Sequence, residues 1–203
     1  MKTANLNTGD AEQFIVKTKV CHDGFFQLKR HTVQYDKFDG SISQIHNLEV
    51  LVREPTVAIL LYDETQHSIL LTEQFRVGPL ENGIDPWVYG LPAGIVDQHE
   101  DKLQAAVRET LEETGYCCAD IEQIGEFYLS PGGSNETTTL FFAKAQLDTS
   151  GLHGEMGENE DIKTHILSFD EAYEMLEQGN LSVISGLAII WLKANKNSHV
   201  RKV

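Results

Sequence analysis

The sequence predicts an α/β/α sandwich on a mixed sheet, preceded by a small antiparallel β unit. Three observations carry this. Residues 56–62 form a near-continuous apolar run, as in a strand buried on both faces. Leu103, Val107, Leu111 and Thr114 recur at helical spacing after a glycine-ended loop. Two more helical patterns close the chain, so helices are available for both faces of a sheet.

In chain order, residues 14–20, 25–35 and 45–52 read as three strands, with Asp39-Gly40 as a hairpin-turn signal between the last two. Glu54-Pro55 marks a boundary, giving an N-terminal β unit over 1–53 and a main domain over 54–203. After the buried strand at 56–62, residues 68–76 read as its partner across a turn. A Gly- and Pro-bearing loop spans 78–86, and 88–94 leads into the helix. Residues 121–129 and 137–146 are strand-like, joined by a polar turn at 130–136. An acidic loop, 149–161, precedes a strand at 162–167. Ser168 with Glu171 makes a capping box, and Gly179 supplies the stop of that helix. The last helix, 185–194, is apolar on most sides (Leu187, Ile189, Ile190, Trp191, Leu192), so deep packing is expected.

Composition narrows the function. A net charge of −15 argues against nucleic-acid binding, which needs a basic stripe. No run approaches the roughly 18 apolar residues of a membrane span, and the first residues hold no secretory signal. Three cysteines, Cys21, Cys117 and Cys118, form neither a disulfide framework nor a zinc pattern. These features point to a reducing cytoplasm, with the thiols expected to be buried and inert.

The chemistry concentrates at 94–115. Glu109, Glu112 and Glu113 follow Arg108 directly and fall opposite the apolar stripe of their helix. Like charges three and four apart repel, so this face is self-destabilising without a cation among them. Mg²⁺ binds through a few carboxylates plus substrate phosphates. The plain alternative is a solvated acidic surface. The full spacing decides against it: Gly94, five residues, Glu100, seven residues, Arg108-Glu109, two residues, Glu112-Glu113, one residue, Gly115. Seven fixed positions at ordinary usage coincide by chance in roughly one window in 10⁸. A bound cation also reconciles an acidic protein with an anionic substrate. Arg76, at the end of a strand-like run, is placed to grip a phosphate or a ribose.

This spacing resembles the Nudix box, with Thr110 and Tyr116 where aliphatic residues are more usual. Gly24-Phe25-Phe26, Glu73-Gln74-Phe75-Arg76, Leu91-Pro92-Ala93-Gly94, Ser130-Pro131-Gly132-Gly133 with Glu136, and Gly157-Glu158-Asn159-Glu160-Asp161-Ile162 extend the likeness over about 13–193. Together they are similar to the ADP-ribose pyrophosphatase branch of the Nudix hydrolases. The resemblance implies hydrolysis of ADP-ribose to AMP and ribose 5-phosphate by two or three Mg²⁺ ions, with Mn²⁺ as an alternative. The metal ligands it implies are the Ala93 carbonyl, Glu109, Glu113 and Glu160, with Glu112 direct or through water. It makes Glu158 the base; the alternative exchanges Glu158 and Glu160. Arg108 then orients the glutamates through bidentate pairing, with Glu100 as its partner. Phe25 and Phe26 match the pair against which adenine lies, and strand alternation turns only one of them toward a ligand. Arg53, Glu49, Ile95, Gly132 and Glu136 match further substrate positions, while Leu48 departs from a charged residue common nearby. A homodimer, its N-terminal unit completing the partner's site, is also implied. Two other readings stay open: another nucleoside diphosphate sugar such as GDP-mannose as substrate, or a non-catalytic nucleotide-sugar sensor. The sensor is disfavoured because every box carboxylate is present.

Overall fold

The computed structural model describes residues 14–154, 160–179 and 181–199. The chain divides into two compact units, one of residues up to Glu54 with Ser130–Glu136, the other of Pro55–Leu129 with the segment from Thr137 onward.

In the first unit, β1 (Ile15–Asp23), β2 (Gln27–Val33) and β3 (His46–Val52) form an antiparallel sheet in that order. Every β1 side chain is exposed. Gly40, at φ 81°, closes the turn after Asp39, but the hairpin it makes is a single Asp36–Ile42 bridge inside the β2–β3 connection. The 130–136 segment belongs to this unit. The Leu51 N–H donates to the Gly133 carbonyl (2.8 Å), and Asn135 caps Arg53 through both main-chain groups, accepting from its N–H (2.7 Å) and donating to its carbonyl (3.1 Å).

The second unit is the sandwich. Its strands are β4 (Thr56–Asp63), β5 (Ser68–Phe75), β6 (Trp87–Gly90), β7 (Ala93–Ile95), β8 (Ala119–Tyr128), β9 (Thr137–Lys144), β10 (Leu152–His153) and β11 (Ile162–Ser168). The main order is β10-β11-β5-β4-β9-β8, with β4 parallel to β9 and the other pairs antiparallel. Successive β4 side chains enter opposite cores, as the two-residue strand period requires. Val57, Ile59 and Leu61 meet Ala105 and Ala106 of α1 (Lys102–Thr114). Ala58, Leu60 and Tyr62 join Phe169 and Ala172 of α2 (Phe169–Gln178) and Ala188, Ile189 and Leu192 of α3 (Val183–His199). Burial on both faces explains the unbroken apolar run.

At one end β4 and β5 diverge. β7 pairs with β4 over Thr56–Ala58, and β6 pairs with β5 over Thr72–Phe75. The Leu91–Ile95 turn therefore sits in the split, held when Ile59 N–H donates to Pro92 O (3.0 Å) and Leu91 N–H to buried Ser185 Oγ (3.0 Å). Asp101 caps α1 by accepting from Leu103 N–H, and Gly115 ends it at φ 73°. The Ser168–Glu171 capping box and the left-handed Gly179 bound α2 as expected.

Three expectations need correction. The buried side of α1 is Ala105, Ala106, Thr110, Glu113 and Thr114, whereas Leu103, Val107 and Leu111 are exposed. Small residues let the helix sit close on the sheet, and the buried carboxylate turns it away from its apolar stripe. Thr110 is tolerated because its hydroxyl donates back to the Ala106 carbonyl (2.6 Å). α3 is one-sided: Ile190 is exposed while Ile189 and Leu192 are buried. Cys21 and Cys117 are exposed, and Cys118 is half-buried. No helix among the described residues is long and apolar enough to cross a membrane.

Candidate active site

The site grows from the split in the sheet. Glu113, on the inner face of α1, is 2% exposed. Its Oε2 accepts from Ala93 N–H (2.9 Å) and its Oε1 from Gln74 Nε2 (2.7 Å). Burial, with Glu109 and Glu160 adding to it, pushes its pKa up from 4.5 to about 8 against the pull of these two donors. Burial raises Glu109 as well; Arg108 opposes that, while Glu112 and Glu160 add to it. The Glu109 carboxylate lies over Gly94 so closely that any Cβ there would overlap it. The box glycine is thus a space requirement at the chain's closest approach to a carboxylate.

Arg108 organises the rim. Its Nε and Nη2 donate to both Glu100 oxygens (3.0 Å each) in a fork. Nη1 donates to Glu109 Oε1 (2.8 Å) and Glu112 Oε2 (3.1 Å), and Nη2 also reaches the Ile95 carbonyl (3.0 Å). Glu100 foremost holds the guanidinium pKa above its ordinary value, and Arg108 in turn holds the Glu100 carboxyl below its own. This arginine spends its donors on the protein and so positions Glu109 and Glu112. Arg108 engages one oxygen of each, Glu109 Oε1 and Glu112 Oε2.

On either side of the acidic segment in sequence, β10 and β11 pair through Leu152–Lys163 and His153–Ile162. Gly154 has φ 107°, and a Cβ there would meet the Glu160 carbonyl oxygen at 2.8 Å. Glu160 is exposed and contributes to the repulsion at Glu109 and Glu113. Glu158 lies outside the described residues.

The structure therefore gathers Ala93, Ile95, Arg108, Glu109, Glu112 and Glu113, with Arg76 tied in through Gln74, whose Oε1 accepts from Arg76 Nη2. Within the first unit, the Arg53 guanidinium stands 4.8 Å from the centroid of Phe26 and pairs with Glu136 (2.8 Å), which is 8% exposed. Phe25 meets Phe26 edge-on but is itself 87% exposed. Glu49 pairs across strands with Arg30 (2.6 Å). Gly132 and Glu49 both line a cavity of about 440 Å³ together with Lys29, His31, Leu48 and Asn135. Sequence reasoning passed over Gln74 and Asn135. The signal for Gln74 was strand alternation, which puts residue 74 on the same face as Arg76; Asn135 had none.

Hard oxygen donors around a repelled pair of carboxylates suit a hard divalent cation. Among the described residues, no three His, Cys, Asp or Glu side chains already converge as a metal cage. The nucleus is Glu109 and Glu113, whose mutual repulsion a cation would relieve.

A NUDIX domain model matches residues 52–186, about two thirds of the chain. The chain belongs to the Nudix family. It is a Nudix hydrolase, and the resemblance to the ADP-ribose pyrophosphatase branch holds. An ADP-ribose pyrophosphatase of Haemophilus influenzae is 32% identical over 89% of this chain and 86% of its own. One from Escherichia coli K12 is 29% identical over 88% and 87%. A GDP-mannose pyrophosphatase of Salmonella paratyphi B is 32% identical over 92% and 96%. The fold matches a crystal structure described as an ADP compounds hydrolase, with a TM-score of 0.65 at 19% identity, covering 89% of this chain and 94% of that one.

Proposed function

We propose that this Nudix hydrolase cleaves the diphosphate of ADP-ribose to AMP and ribose 5-phosphate, with two or three Mg²⁺ ions per site and Mn²⁺ as a substitute. The observation that carries the reading is Glu113: a carboxylate 2% exposed, facing two other acids, is costly to ionise unless a cation offsets it. The Ala93 carbonyl, Glu109, Glu113 and Glu160 would hold the cofactor, with Glu112 direct or through water. Held there, divalent ions would supply charge to offset the diphosphate oxygens and would lower the pKa of a bound water.

The chain's own groups do the rest. Arg108 keeps Glu109 and Glu112 aimed inward while Glu100 holds Arg108. Glu158 takes the proton as water oxygen bonds to phosphorus and the bond to the bridging oxygen breaks; the alternative gives that task to Glu160. Arg76 grips a phosphate or the terminal ribose. In the N-terminal unit, Phe26 under Arg53, with Glu136 fixing that arginine, supports a base-stacking role; Phe25, Glu49, Gly132 and, in the main domain, Ile95 complete the proposed substrate contacts. The protein acts in the cytoplasm as a homodimer, and light scattering on the purified protein tests the dimer.

The Salmonella relative favours a second reading, GDP-mannose as substrate. Steady-state rates on both compounds, with products identified, separate the two. ADP-ribose is expected to have the higher kcat/KM, and a deficit of an order of magnitude for it would overturn the choice.

A further inference from the structure

One buried amide joins two groups of opposite charge. Gln74, 7% exposed in β5, donates from Nε2 to Glu113 Oε1 (2.7 Å) and accepts at Oε1 from Arg76 Nη2. A guanidinium can only donate, so Arg76 fixes the amide carbonyl toward itself. That leaves the NH₂ for Glu113, which accepts from it in either protonation state. Glu113 is anchored again beyond the amide, its Oε2 accepting from Ala93 N–H (2.9 Å), and the main-chain N–H of Arg76 holds that residue's backbone by donating to the Pro86 carbonyl (2.8 Å). A glutamate at 74 would set a second carboxylate against Glu113. A methionine of similar length would leave Glu113 Oε1 and Arg76 Nη2 without the bonds that Gln74 makes to them. Glutamine alone among long, unbranched side chains carries a donor and a neutral acceptor at its tip.

We infer that Gln74 is a positioning residue that links the Glu113 carboxyl group to the Arg76 guanidinium, so that cation affinity and anion affinity both depend on it. Gln74 touches neither cation nor substrate; it acts through the two groups it holds. The inference rests on the metal and substrate roles proposed above for Glu113 and Arg76.

The test is calorimetry on the intact protein, with Mg²⁺ titrated in the absence of ADP-ribose and ADP-ribose titrated in EDTA, so that no turnover intervenes. For Gln74→Met, about a ten-fold loss is expected in Mg²⁺ affinity, the scale on which partners of metal ligands act. ADP-ribose affinity is expected to fall as far as in Arg76→Met, and the double variant to bind ADP-ribose no more weakly than Arg76→Met alone. Gln74→Asn, which keeps a buried amide but is one methylene too short to span both groups, is expected to lose both affinities too and serves if the methionine variant fails to fold. A merely structural role for Gln74 would instead give effects that add to those of Arg76→Met. Additivity, or an Mg²⁺ affinity within about two-fold of wild type, overturns the inference. A wild type that binds Mg²⁺ and releases AMP while the variants are unaltered sinks this inference alone; a wild type that does neither sinks the functional reading and the inference with it.

Discussion

Replacing Glu113 by glutamine removes one buried titratable group, and its effect on metal-free stability follows from the geometry. The folded carboxyl has a pKa of about 8, against 4.5 for the ordinary group. Between those values the folded state keeps a proton that the unfolded chain has lost, so stability falls as pH rises through the window. The contribution is fully present below about 4.5 and gone above about 8. From pH 5 to pH 9 the loss amounts to about 4 kcal/mol, because each pH step inside the window costs about 1.4 kcal/mol. By pH 7 about 2.5 kcal/mol of it has gone. In the glutamine variant this slope disappears. The offset is smaller, because the new NH₂ faces the Gln74 NH₂ while Ala93 N–H takes the single oxygen. That mismatch costs about 1–3 kcal/mol. Urea unfolding in EDTA at pH 5, 7 and 9 reads the slope directly. Mg²⁺ at a hundred times its Kd should stabilise the wild type by about 2.7 kcal/mol at pH 8, and the variant hardly at all. A variant with the wild-type pH slope would refute the burial argument. A variant with the wild-type Mg²⁺ response would remove Glu113 from the cation site.

Further expectations follow from particular contacts. Gly94→Ala should leave the fold intact by circular dichroism yet displace the Glu109 carboxylate, abolishing Mg²⁺-dependent stabilisation in a thermal melt. Arg108→Lys keeps the charge but cannot make the fork to Glu100 or reach Glu109, Glu112 and Ile95 together; kcat should fall about 10–100-fold in a steady-state assay. Ala106→Leu overpacks the α1–sheet contact, destabilising by about 1–3 kcal/mol in urea unfolding while lowering activity by tilting Glu109 and Glu113. Arg53→Met should raise KM for ADP-ribose with kcat little changed, since the Arg53–Phe26–Glu136 group lies in the N-terminal unit, remote in role from the carboxylates.

Much of this was legible because each signal had a single physical cause. The apolar run of β4 meant burial on both faces, and the capping box at Ser168 meant a helix start. The Glu100–Arg108 pairing that the family resemblance implied is present. The orientation of α1 was not legible. A periodicity argument sends Leu103, Val107 and Leu111 inward, yet the helix turns its alanines, threonines and Glu113 to the sheet. What hydropathy counts as a polar face is here an interior one, because Ala93 N–H and Gln74 supply the donors that Glu113 needs. Those donors come from residues 20 and 39 positions away, a separation no local pattern reports. The grouping of Ser130–Glu136 with the N-terminal sheet is of the same kind, since it depends on main-chain bonds of Leu51 with Gly133 and with Asn135 that residue identity does not encode.

The central claim is that the buried box carboxylates are a cation site. Crystals soaked in Mn²⁺ and measured at its absorption edge test it most directly. The account predicts an anomalous peak bounded by Glu109, Glu113 and the Ala93 carbonyl, absent from Glu113→Gln crystals. A peak elsewhere, or none while Glu113 stays bonded only to Ala93 and Gln74, would contradict it.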